Sequence, residues 1–160
     1  MVGVNFDRLR PEYFLNLNEV PELRGWSREN GKIRLGAGLT YTEAMVEPLA
    51  GALPALAEAS RTVGSPQIRN RGTLGGNLGT ASPAGDALPP LLVEGAELEL
   101  ASLRGTRRLP LSEFLVGPKK NALVETLNPR WDDLSAVLFQ PERGPSPSAR
   151  LRMTGGGSAT

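Results

Sequence analysis

The amino-acid sequence predicts a single domain built from short strands and short helices. Its 160 residues match the usual size of one domain, and 39% of them are hydrophobic, enough for a core made mainly of Leu, Ala and Val. Segments that alternate polar and apolar residues predict strands, whereas apolar residues three or four positions apart predict helices. The 19 glycines and 14 prolines keep both kinds of element short.

The composition excludes several classes of protein. The chain has no cysteine and no histidine, which rules out disulfides, cysteine-held iron–sulfur clusters, zinc sites built from these residues and a Ser–His–Asp triad. The net charge of +1 lacks the broad basic field of a duplex-binding protein. No apolar run approaches the roughly 20 residues of a membrane span, and the first residues contain no signal-peptide core. We therefore expect a cytoplasmic protein without a membrane span.

The first elements predicted are a strand and a capped helix. Residues 32–35 alternate polar and apolar side chains and predict a strand that ends at Gly36. Thr40 and Glu43 have the spacing of a capping box, in which each side chain binds an amide at the start of a helix. Pro48 is predicted to end or kink that helix.

Two further helices are predicted. Pro54 suits the first turn of a helix from Pro54 to Thr62. Asp86 is predicted to cap a helix through Leu91 and Leu92, with Gly95 just past its end. The helix from Pro54 carries small and apolar residues on one face: Leu53, Leu56, Ala57, Ser60 and Val63.

A hairpin is predicted next, followed by a divergent tail. Residues 96–101 alternate strictly, and residues 106–109 return as their partner strand after a turn at Gly105. The prolines and glycines between residues 140 and 160 predict no regular structure there, and disorder from about residue 140. The hairpin would bring arginines close to glutamates on a solvated face: Arg107 or Arg108 to Glu97 or Glu99. One short helical face is predicted in the tail: Trp131, Leu134, Val137 and Leu138.

The glycine-rich segment from Gly64 to Asp86 is predicted to be a long functional loop without regular structure. Gly75 and Gly76 would allow positive φ and the close approach of a ligand, and their successive amides would form an anion-binding nest. A pyrophosphate needs several such donors. The residues alone leave open whether this segment binds an anion or is a structural turn. Further donors lie nearby in the sequence: the hydroxyl of Thr73, the amide of Asn77 and the guanidinium groups of Arg69 and Arg71. Three apolar residues are expected to anchor the segment in the core: Ile68, Leu74 and Leu78.

Known phosphate-binding motifs do not match this segment. It lacks the Gly-Lys-Ser/Thr ending of a Walker loop and the G-x-G-x-x-G of a dinucleotide fold. Residues 72–75 match the short GXXG loop of KH domains, which binds single-stranded nucleic acid. That alternative is opposed by the near-neutral charge, and we expect no nucleic-acid partner.

The sequence resembles the FAD-binding (medium) subunit of the molybdenum hydroxylase family, of the xanthine dehydrogenase and aerobic carbon monoxide dehydrogenase type. The central motif is residues 64–77, GSPQIRNRGTLGGN, continued by residues 81–89, ASPAGDALP. The resemblance spans residues 4–123. Its other parts are residues 5–11, NFDRLRP, residues 35–41, LGAGLTY, and residues 116–123, VGPKKNAL.

This resemblance implies an α+β fold, the second FAD-binding subdomain of the vanillyl-alcohol-oxidase-type flavoprotein fold, with a mixed sheet and flanking helices. It implies that residues 73–77 form the second of two loops that hold the FAD pyrophosphate. Asp86 would contact the flavin, and so would two apolar residues, Val63 and Leu123. The implied cofactor-binding residues are Val63, Thr73, Leu74, Gly75, Gly76, Asn77, Asp86 and Leu123.

The resemblance also implies a division of labour between subunits. The FAD of this family takes electrons from iron–sulfur clusters and passes them to an external acceptor. The clusters and the molybdenum cofactor belong to partner subunits, in agreement with the absence of cysteine here. No membrane span and no nucleic acid are expected.

The resemblance finally implies a chain truncated at both ends. The family's first pyrophosphate loop would lie upstream of Val4, and a further domain would follow at the C terminus. We therefore expect a partial FAD-binding domain over residues 1–123, a divergent tail over residues 124–160, and weak FAD binding by the chain alone. An inert truncated remnant is the remaining alternative.

Overall fold

A computed structural model describes residues 16–102, 105–123 and 136–140. Five of its strands form one sheet in the order β1-β2-β7-β3-β4, and β5 pairs with β6 in a second, two-stranded sheet. Every pairing between described strands is antiparallel, where a mixed sheet was expected. The strands are β1 (Trp26–Glu29), β2 (Lys32–Gly36), β3 (Glu97–Ser102), β4 (Gly105–Pro110), β5 (Leu115–Gly117), β6 (Lys120–Asn121) and β7 (Ala136–Gln140).

The hairpin of β3 and β4 confirms the sequence prediction. Leu98 and Leu100 are 0% and 4% exposed, as expected for one buried face of a strand that alternates. Glu99 lies opposite Arg108 in the register, and the Arg108 Nε donates a hydrogen bond to Glu99 Oε2 at 2.8 Å. This exposed pair is one of the predicted arginine–glutamate contacts, and it contributes about 0–1 kcal/mol to stability.

Strand β7 lies in the middle of the large sheet. It pairs with β2 on one side and with β3 on the other. The helical face predicted from Trp131 to Leu138 is therefore wrong at Val137 and Leu138, which lie on this strand. Trp131 and Leu134 lie outside the described residues, and the boundary after Leu123 stays a prediction.

The helices agree with the sequence in part. Helix α3 has the predicted bounds, and its predicted face is buried from Leu53 to Val63. The Asp86 cap is wrong, because α6 begins after Ala87 with no side-chain cap, whereas Gly95 follows its end with a φ of +65° as expected. The helices are α1 (Tyr41–Ala44), α2 (Leu49–Ala52), α3 (Pro54–Thr62), α4 (Pro66–Arg71), α5 (Leu74–Thr80), α6 (Leu88–Val93) and α7 (Leu111–Phe114).

One hydrophobic cluster joins the sheet to the helices. Leu35 of β2 and Leu98 of β3 are fully buried in it, together with Leu74 and Leu78 of α5. Helix α5 is thereby fixed against the sheet by two side chains four positions apart. No helix among the described residues is long and apolar enough to cross a membrane.

Candidate functional site

The glycine-rich segment is mostly helical, contrary to the long loop predicted for it. Helix α4 begins after Ser65, and helix α5 begins after Thr73. Each of these hydroxyls accepts a hydrogen bond from a backbone N–H in the first turn of its helix. Leu74 and Leu78 are buried as predicted, but Ile68 is 53% exposed and anchors nothing.

The predicted nest of glycine amides is wrong. Neither Gly75 nor Gly76 has a positive φ. Their amides are already hydrogen-bonded: the Gly75 N–H donates to Ala37 O at 2.8 Å, and the Gly76 N–H donates to Thr73 Oγ1 at 3.0 Å. An anion at this helix therefore has to be held by other donors.

Helix α5 starts beside the start of helix α1. Thr40 and Thr73 form an isolated antiparallel bridge, flanked by hydrogen bonds from Tyr41 N to Gly72 O at 3.2 Å and from Leu74 N to Leu39 O at 2.9 Å. The two threonines are the N-caps of their helices. Two helix starts with the same capping residue are thus held side by side.

The cap of helix α1 is closed by a carboxylate. Glu43 Oε2 accepts hydrogen bonds from the Thr40 backbone N–H at 2.8 Å and from the Thr40 hydroxyl at 2.7 Å. The Thr40 hydroxyl accepts in turn from the Glu43 N–H at 3.2 Å. This reciprocal pattern confirms the predicted capping box.

The cap of helix α5 has no such carboxylate. Gly76 stands at the position that corresponds to Glu43, three residues after the capping threonine. Within the described part of the chain, no acceptor is bound to the Thr73 backbone N–H or to the Thr73 hydroxyl proton. Among the described residues, a Cβ added to Gly76 would meet only Thr73 Oγ1, at 3.0 Å, so no described group covers this side of the cap.

Asn77 adds a side-chain amide to this open cap. Its Oδ1 is buried and has no hydrogen-bond partner among the described residues. The same atom lies 2.9 Å from where a Cβ on Gly85 would be, so Gly85 packs against the amide. The other end of the same amide, Nδ2, is a hydrogen-bond donor.

Asp86 follows Gly85 and is exposed. It also interacts with Tyr41, which is 4% exposed and lies against Gly72. Burial, with a smaller contribution from the Asp86 carboxylate, raises the pKa of the Tyr41 hydroxyl from 10.0 to about 12. Asp86 is therefore close enough to Tyr41, the first residue of α1, for its charge to act on that hydroxyl.

The two arginines before the cap differ from each other. Arg69 uses its guanidinium to cap helix α3, with Nη1 donating to Val63 O at 3.0 Å and to Gly64 O at 2.9 Å. Its guanidinium is thus held by backbone carbonyls at the end of α3 and does not extend freely into solvent. Arg71 is exposed.

Two further predicted contacts lie in or against the hydrophobic cluster. Val63 ends helix α3 and is 8% exposed. Leu123 is half-buried and packs against the cluster. Asn121, which no sequence pattern identified, hydrogen-bonds both to the end of α5 and to the Leu123 amide. Residues 73–77 thus form the start of α5, and Val63 and Leu123 lie in or against the hydrophobic cluster that also holds Leu74.

No described group of acidic residues could hold a metal ion. The open cap instead offers neutral donors at a helix N-terminus, the pattern of an anion-binding site in a mixed α and β domain. The family model "FAD binding domain in molybdopterin dehydrogenase" matches residues 1–127. The chain belongs to this family of FAD-binding domains, and the resemblance inferred from the sequence is confirmed.

Three relatives show how far the similarity extends. A putative xanthine dehydrogenase FAD-binding subunit of Escherichia coli K12 is 37% identical over 73% of this chain and 40% of its own length. A nicotinate dehydrogenase FAD-subunit of Eubacterium barkeri is 35% identical over 99% of this chain and 57% of its own length. The carbon monoxide dehydrogenase medium chain of Hydrogenophaga pseudoflava is 33% identical over 72% of this chain and 41% of its own length. The chain thus spans about half the length of these relatives.

Two solved structures have a fold similar to that of this chain. A chain of the carbon monoxide dehydrogenase of Hydrogenophaga pseudoflava has a TM-score of 0.78 at 27% identity, covering 90% of this chain and 48% of that one. The quinoline 2-oxidoreductase of Pseudomonas putida 86 gives the same TM-score at 25% identity. The mixed helix-and-strand fold is therefore that of these dehydrogenase subunits, and the nucleic-acid alternative is not supported.

Proposed function

We propose that this chain is the FAD-binding, electron-transferring part of a molybdenum-containing oxidoreductase. It corresponds to the second FAD-binding subdomain of a vanillyl-alcohol-oxidase-type flavoprotein. Bound FAD supplies the redox chemistry, which the side chains of this sequence, without cysteine or histidine, do not. The protein's contribution is to bind and orient the cofactor.

The open cap of helix α5 is the observation that carries this proposal. The Thr40 amide and hydroxyl both donate to a carboxylate, whereas the equivalent Thr73 donors have no acceptor within the described residues. A pyrophosphate oxygen would accept from these two donors and from Asn77 Nδ2. Hydrogen bonds to a charged group stabilise by about 1.5–3 kcal/mol each, and the helix N-terminus adds to this. The residues present therefore fit an FAD pyrophosphate.

The other predicted contacts complete the cofactor site in this proposal. Leu74, Gly75 and Gly76 form the first turn of the helix that carries the donors. Gly75 packs against Ala37, which follows β2. The absence of a side chain at Gly75 therefore allows α5 to approach the end of β2. The flavin contacts are Asp86, Val63 and Leu123.

The partners and the acceptor that we propose are those implied by the family resemblance, and the names of the relatives support them. The similar proteins are named as FAD-binding or medium subunits of dehydrogenases. We propose that an iron–sulfur subunit delivers electrons to the FAD of this chain, that a separate subunit holds the molybdenum cofactor, and that an external acceptor takes the electrons. A cytoplasmic location remains part of this proposal.

An FAD titration of the chain, followed by flavin fluorescence, tests the proposal. Asn77→Asp removes the Nδ2 donor and puts an anion beside the pyrophosphate at nearly the same size. The loss of one charge-assisted hydrogen bond raises the Kd by about 10- to 100-fold. Asn70→Asp is the matched control, because Asn70 is exposed on α4 and its Oδ1, which accepts from the Thr42 hydroxyl, is kept by aspartate.

The expected result is saturable binding by the wild-type chain and by Asn70→Asp, and weakened binding by Asn77→Asp alone. Equal affinities in the two variants would place FAD elsewhere. A chain that melts cooperatively but shows no saturable binding up to about 1 mM FAD would contradict the proposed function.

A further inference from the structure

Asn121 is one of the two buried polar side chains of the described residues, at 2% exposure; the other is Ser60. Ser60 uses its hydroxyl within its own helix, donating to Leu56 O at 2.7 Å. Asn121 instead connects separate elements. A buried amide that satisfies both of its ends with different segments fixes the distance between them.

The donor end of Asn121 holds the last turn of helix α5. Its Nδ2 lies 2.8 Å from Gly79 O and 3.5 Å from Leu78 O. Both carbonyls belong to the last turn of the helix, where backbone donors run out; Leu78 O also accepts from the Ala81 N–H at 2.9 Å. The neighbouring Lys119 N–H donates to Ala81 O at 2.9 Å, so the β5–β6 turn and the end of α5 are docked at two points.

The acceptor end of Asn121 holds the chain that follows β6. Asn121 Oδ1 accepts from the Leu123 N–H at 2.9 Å. Between them, the Ala122 N–H donates to O of Phe114, which is fully buried. The position of Leu123 is therefore set relative to α5 by one side chain and relative to the core by the preceding residue.

We propose that Asn121 is a positioning residue that couples the two ends of the cofactor site. Thr73 and Asn77 lie at the start of α5, and Leu123 is bound through Asn121 to the end of the same helix. With Asn121 in place, a cofactor that contacts the Thr73 cap meets Leu123 at a fixed distance. This role rests on the proposed FAD function, but the coupling itself exists without the cofactor and is measurable without it.

Hydrogen exchange of the chain without FAD tests the coupling. Asn121→Leu removes both ends of the amide at similar volume, and Asn121→Ser removes its reach without adding bulk. Each is expected to raise the exchange rates of the Leu123 amide and of residues 78–81 together, by about tenfold or more. Ser60→Ala is the control, since it removes a buried hydrogen bond from α3 and leaves these amides protected.

An FAD titration of the same variants tests the consequence for the site. We expect both Asn121 variants to raise the FAD Kd by about tenfold, and Ser60→Ala to lower the melting temperature without changing the Kd. Exchange that rises only at residues 78–81 would overturn the proposal and reduce Asn121 to a helix cap. A Kd that is unchanged in the Asn121 variants would overturn it as well. A wild-type chain without FAD affinity would refute the proposed function, while the exchange rates would still decide the coupling.

Discussion

Helices α1 and α5 begin side by side with the same capping residue, yet only one of the two caps is complete. At α1, Glu43 closes the cap and accepts from both donors of Thr40. At α5, Gly76 occupies the corresponding position, and the donors of Thr73 have no acceptor within the described residues. The comparison teaches that glycine at the third position after a capping threonine leaves both donors of the cap available to a ligand.

The largest expected effect breaks the contact between the start of α5 and the chain that follows β2. A Cβ on Gly75 would lie 2.7 Å from Ala37 Cβ and 2.8 Å from Ala37 O. Gly75→Ala is therefore expected to lower the free energy of unfolding by about 3 kcal/mol, the upper part of the range for overpacking, because a backbone atom cannot move aside. Urea unfolding checks this. Gly79→Ala is the control and should not destabilise, because no described atom outside the helix backbone lies within 4 Å of the added Cβ.

The next prediction compares the loss of the capping hydroxyl at α1, where Glu43 closes the cap, with the same loss at α5. Thr40→Ala and Thr73→Ala each remove a capping hydroxyl and should each lower the free energy of unfolding by about 1 kcal/mol. Only Thr73→Ala should also weaken FAD binding, by about tenfold, because only its hydroxyl is left for a ligand. Unfolding curves and FAD titrations of both variants measure this, and an equal loss of FAD affinity in both would remove the distinction.

A smaller effect concerns the carboxylate alone. Glu43→Ala leaves Thr40 in place but removes the acceptor of its amide and hydroxyl. We expect a loss of about 0.5–1.5 kcal/mol in unfolding free energy, with no change in FAD Kd. Thermal melts followed by circular dichroism give the first quantity. A raised Kd in this variant would mean that the α1 cap contributes to the site directly.

The smallest expected effect is the pH dependence of the unfolding free energy that comes from Tyr41, and it is confined to alkaline pH. Its pKa is raised to about 12 in the folded chain, above the ordinary value of 10.0. The neutral phenol therefore favours the folded state fully below pH 10, and this contribution is lost as the pH rises from about 10 to 12. Between these values the unfolding free energy should fall more steeply for the wild type than for Tyr41→Phe. Parallel slopes in urea unfolding at pH 9 to 11.5 would contradict the raised pKa.

The parts of the fold that were predicted from the sequence depend on local patterns. Strict alternation identified the β3–β4 hairpin, and a single apolar face identified helix α3. Strand β7 was missed because its pairing with β2 and β3 is a long-range property. Helices α4 and α5 were missed because glycine and proline outweighed their Ser65 and Thr73 caps in the sequence interpretation.

The site was predicted only in outline, for a similar reason. Thr73 and Asn77 were identified as donors from their residue types, but the amide of Gly75 is bound to Ala37, far away in the chain, which no local pattern indicates. Gly85 and Asn121 acquire their roles only through contacts across the fold. One signal was available in the sequence. Three residues after the capping threonine stands a glutamate at residue 43, but a glycine at residue 76.

The most direct measurement is the FAD affinity and the stability of Gly76→Glu, with Gly79→Glu as a control of equal charge on the same helix. A glutamate at residue 76 is expected to form the same capping box as in α1. Of the described residues, its Cβ would meet only Thr73 Oγ1, the end of a side chain. It should raise the free energy of unfolding by about 1 kcal/mol. It should also raise the FAD Kd by about 100-fold by occupying the Thr73 donors, with the control changed by less than about threefold. Unchanged FAD affinity in a stabilised Gly76→Glu chain would contradict the open cap as the pyrophosphate site.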